Sequence, residues 1–129
     1  MAQQHLAQIA IVVRDYDEAI AFYTQKLGFA LIEDTPLSDT KRWVVVAPHQ
    51  QKGAHILLAK AVGAEQHSAI GNQTGGRVFL FLHTNDFDAY HQQLVQHNVT
   101  IVREPSQQAY GQVLVFEDLY GNKWDLIGN

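Results

Sequence analysis

The sequence predicts an α+β fold: two βαβββ modules in tandem that form a curved mixed sheet around a cleft. Three observations predict it. The stretch IAIVVRDYDEAIAFYTQKLGFALIED and a later one, LFLHTNDFDAYHQQLVQHNVTIVREP, share one layout of apolar run, acidic turn, amphipathic segment and second apolar run. Asp15-Tyr16-Asp17 in the first copy matches Asp86-Phe87-Asp88 in the second. Each copy is followed by two further β-like runs, with Gly53 and Gly121 standing before the last of them.

Each element has a local reason. A β-branched run opens module one, and Asp15 then offers a side-chain acceptor and a negative charge where a helix N-terminus favours both. Tyr16, Ala19, Ile20, Tyr23 and Leu27 recur at helical spacing, and Gly28 supplies the left-handed stop. Three runs follow, predicted as strands over Phe29–Thr35, Arg42–Ala47 and Ala54–Lys60. In module two Asp86 plays the capping role. Phe87, Tyr90, Leu94 and, less well, His97 form the stripe, and Asn98 takes the left-handed stop. The predicted strands are Val99–Glu104, Gln112–Glu117 and Asn122–Ile127. Module one spans about 5–60 and module two about 77–128 of a single domain, joined by a linker over 61–76 rich in Gly, Ala, Gln, Asn and Ser. Two sheets with a helix on one face each must cover the other face, and a shared trough is the economical solution.

Composition narrows the function. With 129 residues, 47% of them apolar, the chain builds a core without staples. A net charge of −4 with no Lys/Arg run argues against nucleic acid and against a membrane surface as partners. The chain has no cysteine, so disulfides, thiolate nucleophiles and Cys-type metal sites are excluded. The start MAQQHLAQIAIVV has no basic leader region, and its apolar run is too short to span a bilayer, so a cytoplasmic address is expected.

FYTQKLGF (Phe22–Phe29), after VVRDYDEAI, and the closing FEDLYGNKWDLI resemble the vicinal-oxygen-chelate superfamily. That family includes glyoxalase I, extradiol dioxygenases, and the fosfomycin and bleomycin resistance proteins. The resemblance covers residues 5–128 and implies the paired-module fold and a homodimer. It also implies where a metal-holding member would grip its cation: two ligands per module, on the first and the last strand. Distances along the repeat carry these positions to Gln8, Leu57, Phe79 and Asp125. Gln8 and Phe79 each lie seven residues before Asp15 and Asp86, and Leu57 and Asp125 each lie four after Gly53 and Gly121. Leu57 and Phe79 have no lone pair to donate, so neither a metal nor another cofactor is expected. The seven histidines show no H-x-H, H-x3-H or H-E-x2-H spacing that would replace them.

Alternation then predicts the lining of the trough. Gln8, Ala10 and Val12 share one face, as do His55, Leu57 and Ala59, and Lys123, Asp125 and Ile127. In the first strand of module two, Arg77, Phe79, Phe81 and His83 are expected on the open face, and Val78, Leu80 and Leu82 under the helix. Trp43 is a further pocket candidate whose face alternation leaves open. Arg77, after Gly75-Gly76, suits an anionic ligand or else pairs with Asp125 or Glu117. Phe79 and Phe81 either fill the core or meet a ligand. Asp125 is read first as a cleft acid partnered by Arg or Gln, then as a solvated strand end, then as a metal ligand.

The resulting expectation is a glyoxalase/bleomycin-resistance-like protein that binds a small organic molecule, aromatic or anionic, in the cleft between the modules and without a metal. The alternative is a lyase, isomerase or dioxygenase-like enzyme of the same superfamily, with an altered metal site or metal-independent acid/base chemistry. An interaction module is the third possibility.

Overall fold

Asp15 and Asp86 cap helices as expected, and the rest of each module follows from that punctuation. The computed structural model describes residues 2–49 and 52–129. The chain folds as two compact units, Met1–Ser68 and Ala69–Asn129.

In the first unit β1 (Gln8–Val13) leads into α1 (Tyr16–Ala21). Asp15 is extended and accepts a hydrogen bond from the Glu18 amide at 2.9 Å. The helix continues as a single π-helical turn over Phe22–Lys26, closed by the Leu27 amide on the Phe22 carbonyl at 3.2 Å. This wider turn lets the neighbours Phe22 and Tyr23 both bury, in an edge-to-face pair with centroids 5.4 Å apart. Gly28 then reverses the chain at φ 75°. β2 (Ala30–Pro36), β3 (Arg42–Ala47) and β4 (His55–Lys60) complete a sheet of order β1-β4-β3-β2. β1 runs parallel to β4, and the other pairs are antiparallel. Ile11, Val13, Val44, Val46, Ile56 and Leu58 form the buried face with Ala19, Tyr23 and Leu27.

The predicted linker holds an α-helix of its own, α2 (Gly63–Ala69), which its loop-like composition concealed. The Gln66 side chain accepts the Val62 amide at 2.9 Å and ties down its first turn.

The second unit repeats the plan. β5 (Val78–Thr84), α3 (Phe87–Gln96), β6 (Ile101–Gln108), β7 (Gly111–Glu117) and β8 (Lys123–Gly128) give a sheet of order β5-β8-β7-β6. Asp86 accepts from the Ala89 amide, and Asn98 stands at φ 58° as the left-handed stop. His97, counted in the apolar stripe, is exposed instead, because the helix is already ending at that residue. Phe87, Leu94, Leu114, Phe116, Trp124 and Leu126 make the core, with Phe116 and Trp124 stacked at 5.7 Å.

The β7–β8 turn is braced from inside. Buried Asp118 accepts the amides of Tyr120 and Asn122 at 2.9 Å each and the Asn122 side-chain amide at 2.8 Å. Gly71 packs against the Tyr120 carbonyl at φ +72°, where a Cβ would collide with it. Among the described residues, no helix is long and apolar enough to cross a membrane.

Candidate functional site

Strand register decides which side chains share the faces opposite the helices. In unit one, Gln8 pairs with His55, Ala10 with Leu57 and Val12 with Ala59. Val45 pairs with Leu57, so the odd residues of β3 share that face, and Trp43 takes it too. One cross-strand row therefore reads Glu33–Val45–Leu57–Ala10. At one end of this face lies a cavity of about 510 Å³, lined by Trp43, Leu57, Ala59, Val62, Lys41 and Lys60 among others.

Arg42 also reaches that cavity, but its charge is engaged. Its Nε and Nη2 donate to Asp34 at 3.0 and 2.7 Å, and its Nη1 donates to Asp17 at 3.0 Å. The guanidinium lies 5.1 Å from the centre of the Tyr16 ring. These hydrogen bonds hold the Asp34 carboxyl below its usual range and push the guanidinium still higher. The cavity's remaining positive rim is Lys41 and Lys60.

In unit two the corresponding row is Arg103–Val115–Asp125–Phe81. A hollow of about 380 Å³ opens there, lined by Gly76, Val78, Val102, Arg103, Val115, Lys123 and Asp125. Partial burial pushes the Asp125 carboxyl above its usual range, and the charge of Arg103 pulls the other way. Lys123 donates to the Gly76 carbonyl at 3.1 Å, which places its ammonium group near the rim.

Two expectations about faces change. A register shift between Val78 and Leu80 sets Val78 opposite Lys123, so Val78 lines the hollow rather than packing under α3. Phe79 sits at that shift, half-buried. Phe81 lies opposite Asp125 and is 62% exposed. Arg77 precedes β5 and lines a separate small hollow of about 140 Å³ with Glu117 and Lys123. The cation whose field reaches Asp125 is Arg103, which sequence reasoning missed. β6 slips register between Ile101 and Arg103 and again between Arg103 and Ser106, which defeats simple alternation. The repeat carried the signal: Glu33 follows the equivalent slip in β2, and each of the two residues faces the equivalent valine.

The positions implied for a cation do not fit one. Gln8 and Asp125 have oxygen donors, whereas Leu57 and Phe79 have none. Among the described residues, no group of three or more His, Asp or Glu gathers to replace them.

The chain belongs to the Glyoxalase/Bleomycin resistance protein/Dioxygenase superfamily, whose model matches residues 5–126. An uncharacterized protein of Shewanella frigidimarina (strain NCIMB 400) is 55% identical over 126 residues, covering 97% of this chain and 93% of the relative. Among solved structures, UcmS2 matches with a TM-score of 0.84 at 30% identity, over 98% of each chain. TnmS3, an antibiotic binding protein from Streptomyces sp. CB03234, matches with a TM-score of 0.78 at 27% identity, over 99% of this chain and 98% of that one.

Proposed function

We propose that the protein binds a small aromatic molecule without a metal ion, held on the open face of unit one against Trp43. The observation that carries this reading is the cavity of about 510 Å³ beside Trp43 and Leu57. Its volume falls in the range of organic-ligand pockets, and its apolar floor with a few polar groups is their usual make-up. Gln8 and His55 lie side by side on the same face, farther along the sheet and outside this lining. Lys41 and Lys60 favour a ligand with an anionic or carbonyl edge. The likeness to an antibiotic binding protein supports the same class of ligand.

Fluorescence tests it. The chain has two tryptophans, and Trp124 is 2% exposed and stacked on Phe116. In a Trp124→Phe background the emission comes from Trp43 alone. Titration with a panel of planar aromatic antibiotics is expected to quench it and to raise the thermal midpoint. Trp43→Ala should abolish the midpoint shift. A panel that leaves both signals flat would overturn the reading.

A second reading rests on Asp125. A half-buried carboxyl pushed upward beside a hollow has one property a general base needs, which suits a metal-independent lyase or isomerase. In either reading the protein works as a homodimer in the cytoplasm. The edge strands β2 and β6 expose Leu31, Ile32 and Val102 for pairing. Light scattering at working concentration checks the dimer.

A further inference from the structure

Arg103 and Asp125 carry opposite charges on one face of unit two, yet no ion pair joins them among those formed by the described residues. Arg103 is on β6 and Asp125 on β8, with Val115 of β7 between them in the same row. Two strand spacings hold their backbones roughly 9–10 Å apart. In unit one the contrast is direct: Arg42 and Asp34, on adjacent strands, close to 2.7 Å.

The gap over Val115 is the hollow of about 380 Å³, with Val78 and Val102 as apolar walls. Lys123, two residues before Asp125 on β8 and on the same face, adds a second cation at the rim. Its bond to the Gly76 carbonyl uses one ammonium hydrogen and leaves others to donate. Glu117, opposite Lys123, lines the adjoining small hollow with Arg77 rather than this one. The lining thus has the Arg103 donors on β6, the Asp125 acceptor with Lys123 beside it on β8, and hydrocarbon between.

We infer that this hollow takes a hydroxylated aromatic acid: its carboxylate meets Arg103, its hydroxyl donates to Asp125, and its ring covers Val115. A neutral aromatic leaves Arg103 unmatched, and an acid without a hydroxyl sets hydrocarbon against Asp125. Partial burial, which already disfavours the bare Asp125 carboxylate, makes a donated hydrogen bond there more valuable. The hollow belongs to unit two, and its ligand is argued from its own lining, apart from the Trp43 cavity of unit one.

The probes are 4-hydroxybenzoate, benzoate and phenol, titrated into the intact protein and followed by amide chemical shifts. 4-Hydroxybenzoate should bind roughly tenfold tighter than either of the others, with shifts centred on Arg103, Val115 and Asp125. Asp125→Leu should erase its advantage over benzoate. Arg103→Met, which keeps an apolar stem, should erase its advantage over phenol while leaving phenol binding unchanged. Equal affinities for the three probes, advantages that survive both substitutions, or shifts lying elsewhere would overturn the inference. Trp43 quenching by the antibiotic panel separates the two claims. If quenching persists while the three probes bind alike, only the present inference falls; if it is absent and no probe binds, both fall.

Discussion

The two units share a plan and differ in one row of side chains. Across unit one the row is Glu33–Val45–Leu57–Ala10, and across unit two it is Arg103–Val115–Asp125–Phe81. The central valine is kept. Around it an acid becomes a base, a leucine becomes an acid, and an alanine becomes an exposed phenylalanine. The same backbone therefore presents an apolar basin beside Trp43 in one copy and a charged, hydrocarbon-floored hollow in the other. Duplication supplied two scaffolds, and a few outward-facing positions set their chemistry, because those positions can change without disturbing the buried face.

The carboxylates teach the same lesson. Asp34 lies one strand from Arg42 and is held below its ordinary range by the hydrogen bonds it accepts. Asp125 lies two strands from Arg103, makes no such pair and is pushed upward by burial. An opposite charge closes on the first carboxylate and not on the second.

The largest expected effect separates the units. Asp118→Ala removes at least three hydrogen bonds from a buried carboxylate in unit two and should cost about 3 kcal/mol in urea unfolding. Hydrogen exchange should show β7 and β8 losing protection while β3 and β4 keep theirs. Equal loss in both would mean that the units open together, and the comparison would break there.

Exchanging the row's central difference comes next. Leu57→Asp places a carboxylate in the same row as Glu33 and removes half-buried hydrocarbon, for an expected loss of about 2 kcal/mol. Asp125→Leu should move the thermal midpoint the other way, by a gain of up to about 1 kcal/mol. Shifts of the same sign would show that the two faces do not differ as their rows suggest.

The smallest effect is a pair of opposite pH dependences, each under about 1 kcal/mol after solvent screening. Asp125 has a raised carboxyl in the folded state, so its charge costs stability at neutral pH. That cost fades as pH falls through the raised value and is gone below the ordinary 3.8. Asp125→Asn should thus stabilise at neutral pH, with the gain shrinking on acidification. Asp34 is lowered, so its contribution is present above 3.8 and is lost as pH falls through the lowered value. Asp34→Asn should destabilise at neutral pH and become neutral in strong acid. Thermal midpoints across the acid range read both.

The sequence by itself determined the repeat, the helix caps and the inward stripes. Asp15 and Asp86 bond to amides three residues on, and Gly28 and Asn98 reverse the chain within their own turn. Those interactions are local, so residue type and spacing suffice to read them. Arg42–Ala47 emerged with the boundaries its pattern predicts, since a run of buried valines has few other uses. The face of Trp43, the exchange of Val78 for its neighbour and the approach of Arg103 to Asp125 came only with the tertiary structure. Each depends on which residue of a distant strand lies opposite, and a single bulge inverts every face beyond it. Pairing register is settled by the summed fit of whole strands, a non-local quantity that no short stretch of this chain encodes.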